Sequence, residues 1–155
     1  MKFRMIRTPG DYFSVAQILY ACGKDMGRKY DLHHWDNPWI KTIIIVVLSS
    51  LKNKVFVVED NSKAVATYQT DVAHDTLYFE KLAVLPSESG KGIGSLCMRQ
   101  IEEEARTKRC AKVQMDVYSK STHAIGFYEN HGYKNVGVNK TLKYDVICME
   151  KEFII

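Results

Sequence analysis

The rhythm of apolar and polar positions changes several times along this chain, and each change marks an element. The opening FRMIRT reads as a strand closed by Pro9 and Gly10. From Asp11, which can serve as an N-cap, apolar residues recur at Tyr12, Val15, Ala16 and Leu19, the spacing of one helical face. Gly23 and Gly27 should loosen that helix into the stretch YDLHHWDNPW. The next segment carries two signals. TIIIVVL has the composition of a strand, yet Ile40, Ile43, Ile44, Val47, Leu48 and Leu51 fall on one helical face. Asn37-Pro38 adds a cap and a first-turn proline, so the expectation for 39–51 is a helix.

Three strands follow. KVFVVED and AVATYQT flank the turn residues Asp60, Asn61 and Ser62, a hairpin signal, and TLYFEKLAVL continues the meander. Helical spacing returns from Leu96 to Lys108. KVQMDVY is then a strand, THAIGFYENH a helix ended by Gly132, and two strands around GYKNVG and KYDVICMEKEF finish the chain. No repeat or linker interrupts the pattern. It predicts one mixed α/β domain over 1–155, antiparallel at first, then a β-α-β unit around a glycine-rich loop.

Composition narrows the picture. The 155 residues suffice for one core, and 46% apolar with 26% charged residues is ordinary for a globular protein. The net charge of +4 is mild and its cations are spread out. The densest group, Arg106, Lys108, Arg109 and Lys112, sits at an expected helix end, where cations are favourable, so no nucleic-acid partner is expected. Cys22, Cys97, Cys110 and Cys148 form no CxxC pair. Reduced thiols in a cytoplasmic protein are the expectation. No apolar segment of signal-peptide length follows Met1–Arg4, and Ile43–Leu48 is too short to span a bilayer, so no membrane partner is expected. Adjacent His33 and His34 lack metal-ligand spacing, and His74, His123 and His131 add no motif, so no metal is expected.

Candidate chemistry begins at SGKGIGS, Ser89–Ser95, where a predicted strand runs through three glycines into a predicted helix. Free N–H groups and the positive helix end there favour an anion, and glycine lets a phosphate reach the backbone. The spacing fits neither a Walker loop nor a dinucleotide fingerprint. With its surroundings, LAVLPSESGKGIGSLCMRQIEEEA and then AIGFYENHGY, it resembles the acetyl-CoA site of the GNAT acetyltransferase superfamily. The family's loop pattern [Q/R]-x-x-G-x-[G/A] falls on Ser89, Gly92 and Gly94. Its later pattern N-x-x-A-x-x-F/L-Y-x-x-x-G-F/Y falls on Ser121, Ala124, Phe127, Tyr128, Gly132 and Tyr133. Serine thus replaces a long polar residue at 89 and an asparagine at 121.

The resemblance covers about residues 54–150. It implies a GNAT fold: a mixed, mostly antiparallel sheet of about seven strands, a splayed parallel pair around the cofactor, and helices on both faces. It implies acetyl-CoA as co-substrate, its pantetheine amides paired with the backbone of Leu82, Ala83 and Val84 as an added strand would be. The pyrophosphate would lie on the amides of Gly90, Lys91, Gly92, Ile93, Gly94 and Ser95, beside Ser89, with Ser121 and Tyr128 near the thiol end. Acetyl transfer needs a neutral amine, a stabilised oxyanion and a proton or hydrogen bond for the leaving thiolate. Tyr128 matches the family's acid. Glu80 is the candidate base: it shares a strand face with Tyr78 and Leu82 unless a bulge intervenes, and related enzymes carry a carboxylate on this strand. His34, Trp35, Tyr78 and Tyr118 are acceptor-site candidates, with Asp116 ranked lower. The expected activity is N-acetylation of a primary amine, of a small molecule first and a protein or peptide second. A non-catalytic acyl-CoA-binding module is the rival reading. A monomer or a homodimer is expected, the dimer through edges left by the last two strands.

Overall fold

Thr8, rather than Asp11, starts the first helix. The computed structural model describes residues 1–153. After β1 (Lys2–Met5) comes α1 (Pro9–Tyr30), with Pro9 in its first turn. The Asp11 N–H donates to Thr8 Oγ1 at 3.2 Å, and the Asp11 carboxylate accepts from Thr8 N at 3.1 Å and Arg7 N at 2.7 Å, a complete capping box. Arg4 grips the same carboxylate with both terminal nitrogens, at 2.9 and 2.8 Å, and holds its pKa well below the carboxylate range. The helix does not loosen at its glycines. A Cβ at Gly23 would collide with the Trp35 carbonyl, so this position lets the returning chain lie on the helix.

α2 (Trp39–Lys52) confirms the helical reading of the aliphatic run, with Pro38 at the N-cap position and no side-chain cap. Most of that apolar face is not the one it buries. Thr42 and Val46 are buried, whereas Ile40, Ile44, Val47, Leu48 and Leu51 face solvent. With both faces apolar, periodicity alone cannot select the one that packs inward.

Six further strands complete a seven-stranded sheet in the order β1-β2-β3-β4-β5-β7-β6: β2 (Lys54–Asp60), β3 (Lys63–Ala73), β4 (Thr76–Val84), β5 (Lys112–Tyr118), β6 (Lys134–Lys140) and β7 (Asp145–Glu152). The β2–β3 turn uses left-handed Asn61 and Ser62, as the hairpin signal implied. β4 and β5 are parallel, and α3 (Ile93–Thr107) connects them, beginning three residues before the predicted Leu96. α4 (Thr122–Asn130) lies between β5 and β6 in the chain. Only one of the last two strands is an edge: β7 is paired on both sides, while every residue of β6 is exposed.

Residue contacts divide the chain into two compact units, one formed by Met1–Asp71 with Lys81–Cys97, the other by Val72–Glu80 with the chain from Met98 on. In the first, Val15, Ile18 and Leu19 of α1, Val46 of α2, Val55 and Val57 of β2, and Ala83 make one core cluster. In the second, Leu77, Ile101, Val113, Met115 and Met149 are buried.

Candidate functional site

In the first unit, β4 leads through a single 3-10 turn, Pro86–Glu88, into the glycine loop and the first turn of α3. Gly90 and Gly92 hold φ of +80° and +78°, which L side chains rarely adopt. A Cβ at either would meet nothing within 4 Å, so open space lies over this backbone. The loop therefore suits a diphosphate, which needs bare backbone N–H groups and room to approach them. Ile93 anchors the start of α3 in the core, 2% exposed, while Gly94 and Ser95 follow in the first turn.

Sequence reasoning missed what braces this loop. Glu88 is nearly buried and accepts from Lys91 Nζ at 2.6 Å and Lys63 Nζ at 3.0 Å. Lys91 first and Lys63 second lower its pKa, and its charge raises that of Lys91. This ion triad ties the 3-10 turn before the loop to Lys91 within it and to Lys63 of β3. Ser89 itself is exposed and donates to the Pro86 carbonyl at 2.9 Å. The i, i+3 spacing of Glu88 and Lys91 was the available signal.

Leu82, Ala83 and Val84 end β4. The Cys22 thiol donates to the Val84 carbonyl at 3.0 Å, and burial pushes that thiol up to about 12. Lys81, with φ of 53°, is a left-handed residue inside the strand. A left-handed residue departs from regular strand backbone, the kind of irregularity on which the alternation along this strand was made conditional. Also in this unit, Trp35 packs half-buried on the core cluster, and the His34 ring lies 5.9 Å from it. His33 bonds Asp31 at 2.7 Å and Asp36 at 3.3 Å.

In the second unit, β4 and β5 pair over Thr76–Tyr78 against Lys112–Gln114. Leu77 and Phe79 point into the core, and Tyr78 and Glu80 stand on the exposed face. Tyr78 lies opposite Gln114, which puts Glu80 and Asp116 one same-face step further along their strands. Asp116 keeps solvent contact yet is hemmed in enough by protein for desolvation to raise its pKa, with the charge of Glu80 adding to the rise. The carboxylate ranked lower in sequence is thus coupled to the one ranked first. Across the β5–β7 ladder Asp116 faces Cys148.

Tyr128, half-buried on α4, is held by three aromatic rings: Phe127 at 5.2 Å, Phe79 at 5.9 Å and Tyr133 at 6.3 Å. Tyr133 is buried and donates to Glu102 at 3.2 Å, which Lys151 also contacts at 3.0 Å. Ser121 is buried at the N-cap of α4 without a side-chain cap bond. Tyr118 meets Tyr144 edge-on at 5.1 Å. The sequence-predicted residues thus fall into two groups: Leu82–Val84, Ser89–Ser95, His34 and Trp35 in the first unit, and Tyr78, Glu80, Tyr118, Ser121 and Tyr128 in the second. Among the described residues no group of His, Cys, Asp and Glu could hold a metal ion, and no helix is long and apolar enough to cross a membrane.

Comparison with known proteins gives one consistent picture. A model of the acetyltransferase (GNAT) family matches residues 17–133. Glucosamine 6-phosphate N-acetyltransferase of Candida albicans is 33% identical over 67 residues, a match spanning 43% of this chain and 43% of that protein, so under half of the relative's length is aligned. Among solved structures, the ribosomal-protein-S18-alanine N-acetyltransferase of Escherichia coli superposes with a TM-score of 0.74 at 18% identity, covering 97% of this chain and 92% of that one. The PaiA N-acetyltransferase of Thermoplasma acidophilum, solved with coenzyme A, gives 0.74 at 16% identity over 99% and 100% of the two chains.

Proposed function

The chain belongs to the acetyltransferase (GNAT) family, enzymes that take an acetyl group from acetyl-CoA, and on that premise we propose that it acetylates a primary amine of a small molecule. Transfer is direct, with acetyl-CoA and the amine bound together, and all of residues 1–155 serve as one N-acetyltransferase domain. The observation that carries the reading is the glycine loop, two left-handed glycines under open space at the start of a helix. Backbone N–H groups from Gly90 to Ser95 hold the diphosphate of acetyl-CoA, and the end of β4, Leu82–Val84, aligns its amides. The thioester is the activated acyl group; the remaining work falls to side chains of this chain.

Glu80 accepts the proton that the amine must lose to attack, directly or through water. Asp116 stands one same-face step along the neighbouring strand, and desolvation first and the charge of Glu80 second raise its pKa, so a carboxylate suited to share that proton lies beside the proposed base. Tyr128 hydrogen-bonds the departing sulfur before it donates. A phenol near pKa ~10 is a weaker acid than a thiol near ~8.5, so full transfer is uphill by about 2 kcal/mol unless the site shifts either value. The ring packing around Tyr128 supports the role by fixing where its hydroxyl points. A cytoplasmic location and a small amine such as an amino sugar fit the reading. The Candida relative, by its name, acts on an amino sugar phosphate.

A thermal melt with acetyl-CoA, run beside ATP and NAD, tests the loop. At about 100 times its dissociation constant acetyl-CoA should add roughly 2.7 kcal/mol of stability. An amine panel with thiol detection then tests turnover. Tyr128→Phe should bind acetyl-CoA as the parent does and lose at least ~10-fold in kcat. Acetyl-CoA binding without thiol release from any amine would make the protein a binding module. A melt shifted by ATP or NAD alone would remove the roles given to Glu80 and Tyr128.

A further inference from the structure

α2 turns five large apolar side chains to solvent: Ile40 at 68% exposure, Ile44 at 50%, Val47 at 43%, Leu48 at 59% and Leu51 at 81%. Ile40, Ile44, Val47 and Leu51 follow one another at intervals of four, three and four residues, with Leu48 alongside. That alternation lines side chains along the seam of a helix–helix contact. The opposite face of α2 is already in use, since Thr42 and Val46 are buried and Trp39 and Ile43 pack on the core cluster. A helix that is apolar on a second face, beside the one it already buries, has more apolar surface than its own fold covers. The five side chains leave roughly 500 Å² of apolar surface open, the size at which a patch marks an interaction site. Next to it, the Tyr12 hydroxyl of α1 donates to Ser50 of α2 at 3.3 Å, and Phe13, 56% exposed, brings a further ring to that end of the helix pair.

We propose that this face is the contact between two copies of the chain, with α2 packed antiparallel on α2 of the second copy across a two-fold axis. Turned about the midpoint of the stripe, Ile40 meets Leu51 of the second copy and Ile44 meets Val47, so each of these four side chains finds another. A standard interface buries about 800 Å² per partner, which the stripe, Phe13 and the flanking side chains can approach together. The charges favour self-contact over a lipid surface. α2 carries only Lys41 and Lys52, too few cations for an anionic bilayer. This inference is independent of the proposed acceptor and of the β6 edge.

Sedimentation velocity from low micromolar to about 100 µM is the test. The mass should rise from 17.8 kDa toward twice that value with concentration. Leu48→Glu should weaken the dimer at least ~10-fold, and so should Leu51→Ser, placed where exposure protects the fold. Far-UV circular dichroism should match the parent for both. Val138→Glu, on the exposed β6 edge, should leave the dimer unchanged. A monomer at every concentration overturns the proposal. So does a dimer broken by Val138→Glu and indifferent to Leu48→Glu. A monomer that pellets with phosphatidylcholine–phosphatidylglycerol vesicles assigns the face to lipid and overturns it as well.

Discussion

Gly92 holds a φ of +78° under open space, so an alanine there strains the backbone without meeting a neighbour. Gly92→Ala should therefore cost about 1 kcal/mol of stability through conformation alone. In the proposed site the new methyl also stands where the diphosphate must come, and acetyl-CoA should bind at least ~10-fold more weakly, about 1.4 kcal/mol. Melting with and without acetyl-CoA separates the two effects. A lowered melt with unchanged acetyl-CoA affinity would mean that the loop is not the anion site. The glycines were legible in sequence because their constraint is local. Glu88 and Asp116 were harder to see, because what makes them matter comes from elsewhere: Lys63 lies on another strand, and Glu80 reaches Asp116 only through the β4–β5 register.

At the scale of elements, the period of the apolar pattern gave helix or strand correctly for each long segment, while starts and faces depended on tertiary partners. Asp11 was read as the N-cap of α1 and is instead the reciprocal member of a capping box begun by Thr8. Its hold on Arg4 ties α1 to β1, and Arg4 continues to Glu59 on β2 at 2.5 Å. Asp11→Asn keeps an amide able to bond the backbone but leaves the guanidinium without its charge partner. The expected loss is about 2–3 kcal/mol near neutral pH. Because folding lowers the Asp11 pKa, this stability is fully present above the unfolded carboxylate value of about 3.9 and fades as pH falls through the lower folded value. Urea-unfolding midpoints of parent and variant should differ by a constant amount from pH 8 to about 5 and converge toward pH 2. A gap unchanged in strong acid would assign the loss to packing. Gly23 and Gly27 show the converse: a helix-weakening residue was read as a helix end, although it serves the close return of the chain at Trp35 and His33.

For the molecule as a whole, the division into two compact units sets a question that the four cysteines can answer. Cys22 and Cys97 belong to the first unit, Cys110 and Cys148 to the second, and all four are free thiols. Burial pushes Cys22 and Cys97 up to about 12, and raises Cys110 and Cys148 as well, so little thiolate exists at neutral pH in the folded chain. β3, β4 and α3 each begin in one unit and end in the other. Unfolding either unit alone would cut three continuous elements, leaving a frayed strand or helix end at each cut with its backbone groups unsatisfied. The two units should therefore melt together. Pulsed labelling with a thiol reagent across a denaturant series, read residue by residue in a mass spectrometer, should give Cys22, Cys97 and Cys110 one shared midpoint. Cys148, less buried than the others, should label somewhat earlier. Cys110 becoming reactive at clearly lower denaturant than Cys22 and Cys97 would show that the units are separate folding bodies. That result would also replace the single domain read from the unbroken sequence pattern with two.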